Sequence, residues 1–502
     1  MKKLVRIVIT FLLIANNQYF KAQIPVGTWR DHLPYINATR VVKANQTIYC
    51  TTPYSLFYFN QTDNSIEKLS RANGLSDIGT SDMAYHPDKD ILLIAYENAN
   101  IDFIQGKSIS NLNDIKNKAI QGNKKINQIV FQGNLAYLAC GFGIVIIDLD
   151  RKEIKETYYI GPNASAIEVY GIAFNNNSIY AATESGIYLA DRNSTNLADF
   201  NQWQKISTLP VPDGKYSAVI NFESEILVNY INEGANTSII YKQDGIDWSE
   251  FYNQGTLINR INSSNKTLMV IEDMQVKFFN ANLTELKTID NFGFANPKPN
   301  DALIDEQGII YLADKEFGLV INKNSDYESI KPNGPYTNHV GDIDAVNNQV
   351  WVAGGERNSF WGNIYNYAEA YLFVNENWRS YILWSSSARD FVKILINPAN
   401  PNQVYAGAWG AGVFVFENNE LIATYNESNS SLQSIYPGQE YIRIGGLLLD
   451  EAQNLYVTNS GVSAPISVKT SEGNWYSYNY PGISGYGTVG EIINTQYNTK
   501  WV

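Results

Sequence analysis

The 502-residue chain is 44% hydrophobic and only 17% charged, and its 34 tyrosines, 10 tryptophans and 35 glycines suit half-buried pleated surfaces better than helices. With 37 cations against 50 acids, a net charge of −13 and no clustered Lys/Arg stripe, the surface repels phosphate backbones, which argues against nucleic-acid binding. The length exceeds one ordinary core and asks for several domains or a repeat.

At the amino terminus, Lys2, Lys3 and Arg6 precede an apolar stretch from Ile7 to Ala15, too short to span a bilayer comfortably and placed as a secretory signal should be. Residues 1–22 are therefore read as a signal peptide, cleaved near Ala22 to leave Gln23 first. Removal takes away four cations and no acids, so the exported chain carries a net −17. No cysteine lies near the boundary to carry a lipid, and no later run offers about 18 uninterrupted apolar residues. Next comes Gly27-Thr28-Trp29-Arg30-Asp31-His32, which shares its Trp-Arg pair with Trp378-Arg379 and is expected, over about 27–33, to be a latch strand closing a ring.

From there one phrase recurs. Its most readable copy is 171–191: apolar alternation through Phe174, an Asn-rich turn, Ile179 to Thr183 returning antiparallel, then Gly186 permitting a second turn before Ile187 to Asp191. Other copies begin at Ile48, Tyr137, Ile310 and Val404, with looser ones at Val350 and Leu455, and the aromatics Tyr49, Tyr137, Tyr180 and Tyr311 fall on a period of about 43 residues. A fourth strand follows a turn and a tryptophan, as at Trp203, Trp248, Trp378 and Trp475, which are expected to pack between adjacent units. Four short strands at this spacing make an all-β fold, a β-propeller. Units starting near Thr39, Ser81, Ile126, Tyr170, Ser217, Leu257 and Ala302 make a seven-bladed ring over 23–337. Over 338–502, longer units begin at Asp342, Phe391, Ile442 and Val489, so a second propeller is expected to be incomplete in this chain, stopping in mid-blade. Helix signals are confined to a turn or two within Asn111 to Ala119.

Chemistry leaves few marks. His32, His86 and His339 lie in separate units without metal-ligand spacing, and no Gly-x-Ser-x-Gly elbow, Walker sequence or dinucleotide fingerprint occurs. Gly141-Phe142-Gly143 sits in a hairpin turn with no helix after it to bind phosphate. Asp148-Leu149-Asp150 and Asp88-Lys89-Asp90 read as solvated turns rather than calcium loops. Gln243 to Trp248 partly matches the aspartate box of sialidases, itself a turn-forming element. Cys50 and Cys140 read as small buried hydrophobes in blades that are not neighbours, which disfavours a disulfide between them. No catalytic, cofactor-binding or metal residues are assigned, no cofactor is expected, and the ligand-binding loops are not identified. Exposed tyrosine, tryptophan and asparagine make glycan or protein binding physically plausible.

The string Ile24-Pro25-Val26-Gly27-Thr28-Trp29-Arg30-Asp31-His32-Leu33-Pro34-Tyr35, followed by Ala38-Thr39 and a blade phrase ending Tyr54-Ser55-Leu56-Phe57, resembles the PorZ family of the type IX secretion system in Bacteroidota. The resemblance implies a non-catalytic component of the attachment complex at the outer-membrane surface. Such a component works beside the sortase PorU and the outer-membrane protein PorV, and binds anionic lipopolysaccharide to assist cargo anchoring. That family ends in a β-sandwich sorting domain, which this sequence does not reach. The alternative is the periplasmic glycan-sensing propeller region of a hybrid two-component regulator, to be told apart by whether a sorting domain or an apolar helix with a kinase follows Val502.

Overall fold

The computed structural model describes residue 27 and residues 29–120, 122–323 and 326–502, so the expected signal peptide and its cleavage site lie outside the described residues. The chain divides into two compact units, 1–31 and 32–502. In the first, the described residues form neither helix nor strand.

The second unit holds ten antiparallel four-stranded blades. Blades 1 to 7 occupy 40–69, 80–112, 126–158, 169–205, 215–252, 258–289 and 299–330, and blades 8 to 10 occupy 342–382, 391–425 and 442–478. In ring order the innermost strands of blades 1 to 7 are Arg40–Ala44, Thr80–His86, Ile126–Gln132, Val169–Phe174, Lys215–Phe222, Ile258–Ser264 and Pro299–Ile304, each within three residues of the start expected from the repeat. Local chemistry explains the units. In blade 4, Asn175 Oδ1 accepts the N–H groups of Asn177 and Ser178, which fixes the first turn. Gly186 then takes φ 115°, and a Cβ there would lie 2.5 Å from Pro212 O, so the second turn excludes a side chain on both counts. The Asn397-Pro398 turn works the same way in blade 9, where Asn397 Oδ1 accepts from Ala399 and Asn400. Asp114–Asn117 is the one α-helix among the described residues.

A blade is apolar on both faces and cannot bury either alone, so the core is a stack of layers between neighbours. Blades 2 and 3 share one layer around Leu93, Phe103, Leu138 and Phe142, and blades 3 and 4 the next around Ile146, Ile172 and Ile179. The layers continue to blade 7, and the last joins blade 7 to blade 1: Leu303, Tyr311, Ala313 and Leu319 pack on Val41, Ile48, Cys50 and Phe57. The ring is closed. Each such side chain contributes about 1.5–3 kcal/mol by leaving water, so the closing layer is as strong a joint as the others.

A polar clip repeats beside these layers. Asp82 of blade 2 accepts Ile129 N–H of blade 3 at 2.8 Å, and Gln128 of blade 3 accepts Ile172 N–H of blade 4 at 2.7 Å. At the closing joint Asp301 of blade 7 accepts Val41 N–H of blade 1. Blade 1 supplies its own outer strand, Ile66–Leu69, and no strand forms over the described residues of 27–33. The first ring therefore closes on strands of its own blades, and the sequence does not assign the latch expected near 27–33 to this ring. Instead His32 packs edge-on against Phe373 and accepts the Trp378 indole N–H at 2.9 Å, on blade 8. The other outer-strand tryptophans behave as expected: Trp203 packs on Tyr158 of the preceding blade, Trp475 on Tyr425, and Trp248 against the layer between blades 4 and 5.

Blades 8 to 10 stack by the same rule, with layers between 8 and 9 and between 9 and 10, and a two-stranded hairpin of Ile493–Asn494 with Lys500–Trp501 follows. The second strand of blade 9 overruns its hairpin and pairs with blade 10, Trp409 opposite Arg443, which merges the two blades into one sheet. Cys50 and Cys140 are buried free thiols in blades 1 and 3, and burial pushes both above the ordinary thiol range.

The closing joint carries a pH signature. Burial alone would raise the Asp305 carboxyl, but bonds from Lys43 Nζ, Ile309 N–H and Tyr311 Oη hold it below the ordinary carboxylate range. A depressed carboxyl stabilises the fold above its unfolded pKa and loses that contribution as pH falls through the folded value. Lys43→Met should therefore cost about 1–2 kcal/mol at neutral pH and progressively less as pH falls below about 4. Amide hydrogen exchange in the innermost strands of blades 1 and 7, compared with the parent chain across that range, checks it; a pH-independent difference contradicts the assignment.

Candidate functional site

Six of the seven innermost strands carry a β-bulge at one equivalent place. A bulge leaves one residue unpaired and re-aims its side chain. The residues so released are Ser81, Asn127, Tyr170, Ser217, Asn259 and Asn300, all polar. Five of them line a cavity of about 200 Å³ between the innermost strands. Two of the asparagines reach the next blade, Asn127 Nδ2 donating to Val169 O and Asn300 Nδ2 to Ala38 O across the closing joint, while Asn259 Nδ2 donates to Asp273 Oδ1 of its own blade. The residue after the bulge is a clip acceptor in blades 2, 3 and 7, a Gly or Ala in blades 4 and 5, and Arg260 in blade 6. At Gly171 a Cβ would come within 3.2 Å of Val219 N in blade 5.

Two arginines and two aspartates face one another in this cavity. Arg40 Nε donates to Asp82 Oδ1 at 3.0 Å, while Arg260 lies with Nη2 3.3 Å from the same oxygen and Nε 3.2 Å from Asp301 Oδ1. Both carboxylates are 2% accessible, against 23% and 20% for the Arg40 and Arg260 side chains. Burial pulls the Arg40 guanidinium below its ordinary value, with Arg260 adding to the effect and Asp82 opposing it. For Arg260 burial acts the same way, but Asp301 and Asp82 outweigh it and the net direction is up. The quartet is neutral, and each carboxylate spends its other oxygen on the clip to the next blade. Its chemistry is to tie blades 1, 2, 6 and 7 across the axis and to leave amide, hydroxyl and guanidinium donors facing the cavity.

A second polar and aromatic surface lies on blade 8. Connections between second and third strands run two to four residues in blades 1 to 7, but 354–368 separates Gln349–Ala353 from Glu369–Val374. Fully buried Asp390 holds the base of this loop, accepting N–H bonds from Ile364, Tyr365 and Asn366 and one from Asn363 Nδ2. Asn358 Oδ1 accepts from Phe360 and Gly362 at the tip. The loop thus presents Phe360, 92% exposed, and Tyr365, 71% exposed, to solvent. A larger hollow of about 510 Å³ beside His32 is lined chiefly by the apolar face of blade 8 and offers few donors.

The residues weighed in the sequence are dispersed. His86 is buried with Nε2 2.8 Å from Gly133 O, His339 meets Glu369, and His32 meets Trp378. Among the described residues no group of three or more His, Cys, Asp or Glu could hold a metal ion. Asp148 Oδ1 accepts the N–H groups of Asp150 and Arg151 in a turn, and Asp244 to Asp247 is a hairpin with Gly245 at φ 63°. Gly141 to Gly143 is a hairpin too. Sequence reasoning missed the axial quartet and the Asp390 loop. The latter had one signal, the greater length of the unit that begins at Asp342.

Residues 48–204 match the family model described as the PorZ N-terminal β-propeller domain of the type IX secretion system, a stretch running from blade 1 through blade 4. No curated protein matches the chain. The structure of PorZ, an essential bacterial surface component of the type-IX secretion system of Porphyromonas gingivalis, superposes with a TM-score of 0.83 at 20% identity, over 95% of this chain and 63% of that one. The extracellular domain of a putative hybrid two-component system from B. thetaiotaomicron aligns with a TM-score of 0.44 at 12% identity, over 95% of this chain and 69% of that one. The chain is similar to PorZ in its fold and in the propeller stretch 48–204, and it spans 63% of the length of the PorZ structure it matches.

Asp82 joins the clip to the quartet, so Asp82→Ala takes the carboxylate from Arg40 and an N–H at once, leaves Arg260 with Asp301 alone, and should cost about 3–5 kcal/mol. Asp82→Asn keeps an oxygen for Ile129 N–H and should cost less. Urea midpoints of the two variants check the order; equal losses contradict it.

Proposed function

We propose that this PorZ-like chain is a non-catalytic component of the type IX secretion attachment complex, holding an anionic lipopolysaccharide and partner proteins at the outer-membrane surface while a sortase anchors cargo. The observation that carries the reading is the match of residues 48–204 to the PorZ amino-terminal propeller, which falls on four blades of the closed ring. In this reading residues 1–22 direct export, 23–337 form the first propeller and 338–502 belong to the second, and the partners are a PorU-type sortase and a PorV-type outer-membrane protein.

The physical design suits holding rather than turnover. A ring whose every blade is packed on two neighbours through apolar layers, with polar clips added at the joints 2–3, 3–4 and 7–1, offers a stiff platform, and connections over its surface can vary without disturbing those layers. Flat aromatic faces such as Phe360 and Tyr365 stack on sugar rings, and asparagine amides read hydroxyls.

The test uses the purified chain and labelled anionic lipopolysaccharide. Retention of the label with its chain length unchanged is the expected result. Shortened products would replace the reading with a polysaccharide-degrading propeller, and absence of retention would overturn it. Deleting the gene in the parent organism should leave secreted cargo unanchored; normal anchoring contradicts the proposal.

A further inference from the structure

Behind the exposed tip of the 354–368 loop, the chain turns two residues inward onto blade 9. The Arg357 guanidinium lies 4.3 Å from the Trp361 ring centre and 4.8 Å from that of Trp409. Arg443 lies 5.3 Å from the Trp409 ring and 5.1 Å from Tyr441. Trp409 is fully buried, its indole N–H donates to Trp361 O at 2.9 Å, and its backbone is paired with Arg443. Two cations thus share one indole, in a position fixed by a strand pair and by the loop that Asp390 holds.

Such a stack is costly unless something offsets it. Cation–π contact returns about 0.5–2 kcal/mol per pair, but like charges repel and buried guanidinium donors want acceptors. Arg357 Nη1 and Arg443 Nε are enclosed without a hydrogen-bond partner. The nearby carboxylates are otherwise engaged: Asp342 and Glu491 both pair with Lys393, Asp342 also accepts Ile394 N–H, and Asp390 is taken by the loop backbone. Buried donors in native proteins are normally satisfied, and two unpartnered guanidinium donors on one indole call for an acceptor, which a bound anion can supply. Arg443 spends Nη2 on Tyr441 Oη at 3.5 Å, and the remaining guanidinium donors match a planar or tetrahedral oxyanion.

We propose that Arg357 and Arg443, held on Trp361 and Trp409, form an oxyanion-binding subsite for a carboxylate or phosphate group carried on a saccharide. The two guanidinium groups bind the anion, and the exposed faces of Phe360 and Tyr365 on the same loop take the apolar face of the adjoining sugar. The sugar part rests on the function proposed above; the oxyanion part rests on the arginine stack alone.

Because Trp361 and Trp409 lie in the subsite, intrinsic fluorescence of the full chain reports on it. Titration with glucuronate and with glucose 1-phosphate should each give a saturable change, and glucose should give none; the two anions distinguish carboxylate from phosphate preference. Arg443→Gln should weaken the response at least tenfold, and Arg357→Lys, which keeps the charge and loses the planar fork, should weaken it as well, each with an unchanged thermal midpoint. No response to either anion, or equal responses in both variants and the parent, overturns the subsite. Retention of anionic lipopolysaccharide is measured in parallel. Equal retention by Arg443→Gln and the parent removes the subsite and leaves the proposed function standing. Loss of retention by the parent itself removes that function, while the small-anion titration still decides the subsite.

Discussion

Everything in this molecule depends on the joint between one blade and the next. A four-stranded blade with two apolar faces has no stable existence alone, so each interface is both core and connection. The layer between blades 7 and 1 is built from the same residue types as the layer between 3 and 4, and the Asp301 clip onto Val41 repeats the Gln128 clip onto Ile172. Closure therefore requires no special device. It is one more copy of an interaction the repeat already makes six times.

The same strands that make the joints also shape the axis. Innermost strands crowd together, and a bulge in each of six blades relieves the crowding by turning one polar residue out of the ladder. Where the following residue is Asp or Gln it clips the neighbour, and where it is Gly171 the backbones approach directly. Arg40, Arg260, Asp82 and Asp301 then neutralise one another in a cavity with little water access. The connections between strands lie outside the layers and can lengthen freely. Residues 354–368 are the clearest case.

The blades were legible because their signals are local. Asn175 and Gly186 specify turns through their own side-chain bonding and backbone freedom, and the aromatic spacing from Tyr49 to Tyr311 counts units without reference to any contact. Trp203 and Trp475 were read as packing between blades for the same reason: a large ring after a turn on an outer strand has nowhere else to go. The likeness of Trp29-Arg30 to Trp378-Arg379 says nothing about pairing. Blade 1 already had Ile66–Leu69 as its outer strand, and Trp378 took His32 as its partner.

By itself the sequence determined the all-β class, the four-stranded unit, its period and the order of the blades, since turn chemistry and strand alternation act over a few residues. Only the tertiary structure decided which side chains meet. Arg40 reaches Asp82 across 42 positions and Arg260 reaches the same carboxylate across 178, while Arg357 and Arg443 share Trp409 only because a loop and a strand overrun bring them there. The physical reason is that a bulge or an ion pair depends on what lies opposite, and the ring sets what lies opposite once every joint has formed.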